Sequence, residues 1–243
     1  MITYPSEVFV ARITRKELKT DKFALEVEHT VTFFEEHQKL ILRYGAIALA
    51  VIVVIVAYSM YARRQHSKRE EVLFRAIQIQ EAPVGPPTPG QVARSFPTQD
   101  AKDQTALKAF ADVQALYPGT TEGEIATYYL GAIKADQGKL AEAEKDFKQV
   151  ADKADEKYAS LANLSLAAIY FSDGRADQGE AVLRDLIAHP TSFVSKEQAS
   201  ITLARYLIPK KPAEARKLLD PLRTNPGAVG QAAISALAEL PNQ

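Results

Sequence analysis

Four histidines are the residues of this chain best suited to metal binding or acid–base chemistry. His29 and His37 are eight positions apart on a predicted helix, and Glu36 stands beside the second. A protein metal site usually has three or more convergent ligands, and no third ligand accompanies these two. His66 belongs to a basic stretch, and His189 precedes a proline at a predicted helix end. The histidines therefore predict no metal centre.

Other residue types that carry chemistry are missing or lie on helix surfaces. The chain has no cysteine, which excludes disulfides, thiolate catalysis and cysteine-based zinc sites. Its glycines are scattered, so they form no phosphate-binding loop, and acidic neighbours such as Glu35 and Glu36 lie on charged helix faces. The 30 basic and 30 acidic residues give zero net charge, which argues against a nucleic-acid partner. We predict a protein that is not an enzyme and has neither a cofactor nor a small-molecule substrate.

An uncharged stretch of nineteen residues, 44–62, organises the rest of the chain. A helix of this length covers roughly 28 Å, close to the roughly 30 Å hydrocarbon core of a bilayer. Tyr44, Tyr58 and Tyr61 lie near its ends, where aromatic rings favour the headgroup region. A cleaved signal peptide would lie at the extreme N-terminus, and the other alternative is a buried core helix. We predict a retained transmembrane helix over 44–62 that contacts the lipid bilayer.

The N-terminal arm, residues 1–43, is predicted to contain an amphipathic helix next to the membrane. Neither glycine nor proline interrupts residues 14–43. Apolar residues recur there at helical spacing on one face, and these are Phe23, Val27, Val31, Phe34 and Ile41. Such a helix is expected to lie in the membrane interface or to pack on a partner. A solvated linker helix is the alternative.

Residues 63–243 contain an internal repeat with an offset of 36 residues. The segment Ala-Glu-Ala-Glu-Lys-Asp-Phe at 141–147 reappears as Ala-Glu-Ala-Arg-Lys-Leu-Leu at 213–219, and an intermediate copy lies at 178–183. The preceding Leu-Gly and glycine turn at 130–138 align with 166–174. These features resemble the tetratricopeptide repeat, a pair of antiparallel helices that stacks on its neighbours to bury a continuous core. A generic helical bundle is the alternative.

Packing explains why small residues recur at fixed repeat positions. Gly131, Ala167 and Ala204 would let the second helix of each pair approach closely, and Ala143 with Phe147 would supply the matching surface. A first pair is predicted from helices near 68–81 and 106–118, so the span and the first repeat would share one helix. Between its two halves lies a Pro-rich insertion at about 83–100, and residues 229–240 form a C-terminal capping helix. The predicted fold class is all-α.

The inner groove of such a solenoid is the predicted working surface. By repeat position it would be lined by residues of the first helices, namely Tyr128, Ala132, Leu164, Ala168, Phe171, Ile201 and Arg205. Most of these side chains are apolar or aromatic, and Arg205 is the one cation. We therefore expect the groove to bind apolar or extended protein segments rather than a charged chain terminus. The alternative is that these residues pack against the capping helix or the 68–81 helix.

The layout of the chain resembles the family of ancillary subunits of the SecYEG translocon. The resemblance rests on Phe33-Phe34-x-Glu36-x-x-Lys39 before a single span, a basic exit and a short tetratricopeptide-like domain. It implies a bacterial inner-membrane protein with a cytoplasmic N-terminus and a periplasmic repeat domain. It also implies a scaffold beside the translocon that links emerging proteins to periplasmic chaperones. The longer arm and the Pro-rich insertion depart from the family pattern.

Charge alone does not decide the orientation of the span. Near the membrane, basic residues are more numerous on the C-terminal side, which would place the repeats in the cytoplasm. Counting the whole arm reverses the balance. Two alternatives to the translocon scaffold therefore remain: a structural accessory subunit of another bacterial membrane complex, and a regulatory adaptor that faces the cytoplasm.

Overall fold

The computed structural model describes the backbone of residues 15–86 and 95–241, and the side chains of that part from Lys39 onward apart from Ile41. The described residues form nine α-helices and one short 3₁₀ helix, and the chain divides into two units, Met1–Arg64 and Gln65–Gln243. The helices are α1 (Arg15–Gln80), α2 (Gln99–Leu116), α3 (Thr121–Asp136), α4 (Leu140–Lys153), α5 (Glu156–Ser172), α6 (Ala176–Ala188), α7 (Lys196–Leu207), α8 (Pro212–Leu219) and α9 (Ala228–Ala238). The all-α prediction is confirmed.

The first unit contains the predicted span. Within α1, the segment Leu42–Gln80 is long and apolar enough to cross a membrane, judged by length and composition. Within residues 44–62 of this segment the large apolar side chains are exposed, including Ile52, Val54 and Ile55. An exposed apolar surface of this kind needs a non-aqueous environment or a partner to cover it. The predicted arm face (Phe23, Val27, Val31, Phe34 and Ile41) lies in α1 but outside the side chains that the structure describes.

The second unit is a solenoid of antiparallel helix pairs. The pairs are α3–α4, α5–α6 and α7–α8, and each second helix also packs against the first helix of the next pair. First helices of neighbouring pairs contact each other as well, α3 with α5 and α7 with α9, which places the first helices in the inner layer. Polar side chains cap three first helices by accepting backbone N–H bonds: Thr120, Asp155 and Ser195.

Two tight turns recur with the 36-residue period. Gly138 and Gly174 end the first helices of their pairs with φ angles of +75° and +77°. Only glycine adopts this left-handed region without steric cost, so the repeated glycine sets the reversal between paired helices. The last pair has no glycine here, and Pro209-Lys210-Lys211 makes the turn.

Close packing at Gly131 agrees with the prediction from repeat position. A Cβ atom built at Gly131 would lie 3.0 Å from Cε1 of the Phe147 ring. Phe147 is 1% exposed and joins a buried cluster with Ala143, Val150 and Leu166. Gly131 therefore allows α4 to approach α3 so closely that the Phe147 ring lies against the helix backbone.

Each end of the solenoid is covered by a different helix, α1 at the N-terminal end and α9 at the C-terminal end. At the N-terminal end, Leu73 and Ala76 of α1 share a core cluster with Phe110 of α2 and Leu130 of α3. The Pro-rich insertion separates α1 from α2, and an isolated bridge between Val84 and Phe96 closes its base. At the C-terminal end, α9 packs on α7 and α8 as the predicted capping helix.

Candidate protein-binding groove

Five of the seven predicted groove residues lie on α3 and α5, and their side chains are at least partly exposed. They are Tyr128 and Ala132 on α3, and Leu164, Ala168 and Phe171 on α5. Ala132 and Ala168 line a cavity between these two helices, and Ala168 and Phe171 line a second cavity between α5 and α7. The inner surface is therefore continuous from α3 to α5.

The other two predicted residues interact with the capping helix. Ile201 is 8% exposed and belongs to the buried cluster that includes Ala233 and Ala236 of α9. Nε of Arg205 lies 3.8 Å from the carboxylate of Glu239. At α7, Ile201 is thus enclosed together with the chain's own last helix, whereas Arg205 remains half-exposed and lies beside Glu239.

A first cavity of about 330 Å³ lies between α3 and α5. Its walls are small side chains from both helices: Ala132, Ala135, Ser165, Ala168 and Ser172. It extends to the buried ring of Phe147 and the buried side chain of Ile169. Asp136 is the one charged residue that lines it. Small side chains leave open space between two helices where larger ones would fill it.

A second cavity of about 360 Å³ lies between α5 and α7 and shares Ala168 and Ser172 with the first. One wall is the ring of Phe171, which stacks on Tyr206 with centroids 3.9 Å apart and planes within 7°. A Cβ atom at Gly179 would lie 2.6 Å from the Phe171 ring. Gly179 of α6 therefore makes room for the ring in this position.

Charged side chains at the second cavity come from the first turns of α6 and from the turn between α7 and α8. Asp177, Glu180, Lys210 and Lys211 line it. Lys211 donates a hydrogen bond of 2.9 Å to Glu180, and hydrogen bonds from Lys211 and Arg184 lower the pKa of Glu180 below its ordinary value. This carboxylate is therefore ionised and paired at neutral pH.

A row of aromatic rings borders the groove near the start of the inner helices. Tyr128 contacts Tyr158 edge-to-face with centroids 5.9 Å apart, and Tyr158 contacts Phe193 at 5.4 Å. Burial raises the pKa of Tyr128 and of Tyr158 above the ordinary value of 10.0. Both phenols are thus neutral at physiological pH, and Phe193 remains 42% exposed at the end of the row. The row offers an apolar, uncharged surface with polar hydroxyl tips.

Sequence reasoning missed three of these contributors. Tyr158 lies in the first turn of α5, Phe193 lies in the loop before α7, and Tyr206 follows the predicted groove residue Arg205. None of the three lies at a repeat position that was used to predict the groove. Aromatic side chains reach several ångströms from their own helix position, so they enter a groove from neighbouring positions. A search for aromatic residues near both ends of the inner helices would have found them.

The described residues show no cluster of the kind that holds a metal. In that part of the chain, no group of three or more His, Asp or Glu side chains is arranged so that it could hold a metal ion. His66 lies between two carboxylates, with Nδ1 2.7 Å from Glu122 and Nε2 3.1 Å from Glu70. The side chains of His29 and His37 lie outside the described residues.

Comparison with known proteins assigns the repeat. A family model described as a tetratricopeptide repeat-like domain matches residues 32–221, which is most of the chain. No curated protein and no solved structure matches it. Domains of this kind generally mediate protein–protein interaction and are typically non-catalytic. The chain belongs to the tetratricopeptide repeat-like domain family.

Proposed function

We propose that this protein is a membrane-anchored scaffold that binds segments of other proteins in the inner groove of its repeat domain. The observation that carries the proposal is the pair of adjoining cavities on the inner helices, in a chain that also has a helix able to cross a membrane. Apolar walls favour apolar side chains of a partner, since their burial removes apolar area from water. Attachment to a membrane would raise the effective concentration of partners that are held there too.

A more specific proposal concerns the cellular location of the protein and its orientation in the membrane. The protein lies in the bacterial inner membrane, with its N-terminus in the cytoplasm and its repeats in the periplasm. There it acts beside the protein translocon and passes emerging proteins to periplasmic chaperones. Support comes from the resemblance carried by Phe33, Phe34, Glu36 and Lys39 ahead of the span. Emerging proteins are extended and expose apolar side chains, which suits apolar cavities.

Protease access in sealed membranes tests this orientation. Tags placed before Met1 and after Gln243 would be probed in intact cells, in spheroplasts and in lysed membranes. The proposal expects the C-terminal tag to be digested as soon as the outer barrier is opened, with the N-terminal tag protected until lysis. A C-terminal tag on the cytoplasmic side would remove the translocon proposal and favour a cytoplasm-facing adaptor.

Site-specific photocrosslinking tests the groove itself. A photoreactive amino acid would replace Tyr128 or Phe171, which face the groove, or Ala111, which is exposed on α2 away from both cavities. We expect protein adducts in native membranes from the first two positions and few from Ala111. Absence of adducts at both groove positions would overturn the scaffold function.

One observation favours a second candidate, a structural accessory subunit of another membrane complex. At α7 part of the inner surface is already occupied by the chain's own last helix, because Ile201 is buried in a cluster with α9 residues and Arg205 lies beside Glu239. A permanent subunit would use such a filled groove as core and bind its partner elsewhere. Co-purification at fixed stoichiometry in high salt would support this candidate, whereas capture of varied proteins below equal stoichiometry would support the scaffold.

A further inference from the structure

The two cavities of the groove adjoin each other and differ in charge. They share Ala168 and Ser172, so one bound segment can enter both. In an extended chain, side chains two residues apart point to the same side. Two apolar side chains in an alternating pattern would therefore match the two cavities.

Charges around the second cavity are balanced. Glu180 and Lys211 form an ion pair at 2.9 Å. The remaining two charged residues that line this cavity, Asp177 and Lys210, have opposite sign. A ligand therefore meets no net charge at this end of the groove.

The charge at the first cavity is not balanced by a residue that lines it. Asp136 is the one charged lining residue there, and its carboxylate is exposed at the last turn of α3. Within the described part of the chain, this carboxylate has no hydrogen bond or ion pair. Its neighbour Lys134 is engaged with Asp146 at 2.6 Å, and Lys139, in the following turn, does not line the cavity. The α3 end of the groove is thus negative.

From this arrangement we infer that the groove selects extended segments with two apolar side chains in alternation and a lysine or arginine beside them. The apolar pair occupies the two cavities, and the cation lies against Asp136. This inference rests on the proposed function, since it names the ligand of the same groove. It distinguishes basic-flanked apolar segments from acidic-flanked ones, which the groove disfavours.

Fluorescence anisotropy with labelled peptides tests the inference on the full chain in nanodiscs. The probe is a nonapeptide of sequence Gly-Ser-Lys-Leu-Ser-Phe-Lys-Ser-Gly, in which either chain direction places a lysine beside Asp136. Replacing both lysines by glutamate should weaken binding about two- to fivefold, the effect of an exposed charge pair. Replacing the leucine and phenylalanine by serine should weaken it at least about tenfold. Equal binding of the lysine and glutamate peptides would overturn the inference.

Two variants assign the effects to the cavities. Asp136→Lys should reverse the preference, so that the glutamate peptide binds more tightly than the lysine peptide. Ala168→Phe should fill the shared wall and weaken both peptides at least about tenfold, whereas Ala111→Phe on α2 should leave them unchanged. An unchanged preference in Asp136→Lys, or full binding in Ala168→Phe, contradicts the inference.

Failure of this inference and failure of the proposed function give different results. If a photoreactive residue at position 171 forms crosslinks in membranes but peptides bind without regard to charge, the scaffold function stands and the ligand class is wrong. If neither crosslinks nor peptide binding occurs, both are wrong. Circular dichroism of each variant, matched to wild type, excludes unfolding as the cause.

Discussion

The guanidinium of Arg175 donates two hydrogen bonds, of 2.9 and 2.6 Å, to the carboxylate of Glu144. Arg175 lies in the turn before α6 and Glu144 lies in α4, so the pair joins successive helix pairs. The same relationship recurs 36 residues later, where Lys211 donates a bond of 2.9 Å to Glu180. The period of the hydrophobic repeat is therefore also the period of a charge pair between repeats.

This pair predicts a defined dependence of stability on pH. The hydrogen bonds from Arg175, followed by Lys148, lower the pKa of Glu144 from 4.5 to about 2. A depressed carboxyl pKa stabilises the fold fully above about pH 4.5, and this contribution is lost as the pH falls through about 2. We expect Arg175→Met to lower the midpoint of urea unfolding at pH 7, and the difference from wild type to shrink between pH 4.5 and 2.

Part of the difference should persist in acid, because Arg175 also lies over the Tyr170 ring at 4.5 Å. Lys145→Met is the matched control, since Lys145 is exposed on α4 and takes no part in the pair. A difference from wild type that stays constant from pH 7 to 2 would show that Glu144 does not carry the effect.

A second prediction concerns the close approach of α3 and α4. A Cβ atom at position 131 would lie 3.0 Å from the Phe147 ring. The larger side chain of Gly131→Leu would therefore collide with this ring. Overpacking of this kind costs about 1–3 kcal/mol, so the unfolding midpoint should fall. The double variant Gly131→Leu with Phe147→Ala should be less destabilised than the sum of its single changes, measured by urea unfolding. Strict additivity would contradict direct contact between these positions.

The contacts that could be predicted from the sequence all follow from the repetition of one helix pair along the chain. Helix pairs that repeat at a constant offset make equivalent contacts at equivalent positions. Gly131 and Phe147 could therefore be recognised from the residues at the equivalent positions, 36 residues further along the chain. Gly138 and Gly174 likewise follow from the turn that each pair requires. The charge pairs at Glu144 and Glu180 carry the same offset, but only after the structure is seen does the partner in the next repeat become evident.

The groove was less predictable, because its ends are shaped by elements outside the repeat. Repeat position alone predicts Ile201 and Arg205 as open groove residues, yet Ile201 is buried in a cluster with α9 residues, and Arg205 lies beside Glu239 while it stays half-exposed. Phe171 followed from repeat position, but its stack with Tyr206 depends on Gly179 of α6, which leaves room for the ring. Side-chain direction, not helix register, decides such contacts.

A third prediction concerns a buried carboxylate at the N-terminal side of the solenoid. Glu122 is 3% exposed and lies 2.7 Å from Nδ1 of His66 and 3.5 Å from Nε of Arg69. Glu122→Ala would leave the partly buried guanidinium of Arg69 without this partner, which we expect to cost about 1–3 kcal/mol. Glu71→Ala removes the exposed pair of Glu71 with Arg75 and should cost under about 0.5 kcal/mol. Equal losses in urea unfolding would contradict the difference in burial.

A fourth prediction addresses the wall of the second cavity. Gly179→Val would displace the Phe171 ring, which a Cβ at position 179 already approaches to 2.6 Å. We expect the Phe171–Tyr206 stack to open and the lysine peptide to bind several-fold more weakly, with helical content unchanged by circular dichroism. Ala181→Val, on the exposed side of the same helix, should bind like wild type. Unaltered peptide binding in Gly179→Val would show that the stacked wall is not used.

We propose that partners occupy the inner groove. Photocrosslinking from Phe171 in native membranes, compared between otherwise wild-type protein, Ala168→Phe and Ala111→Phe, tests it most directly. We predict adducts in the first and third proteins and their loss in Ala168→Phe, where the wall shared by both cavities is filled. Adducts of equal yield in Ala168→Phe would contradict the claim, because the partner would then be bound outside the groove.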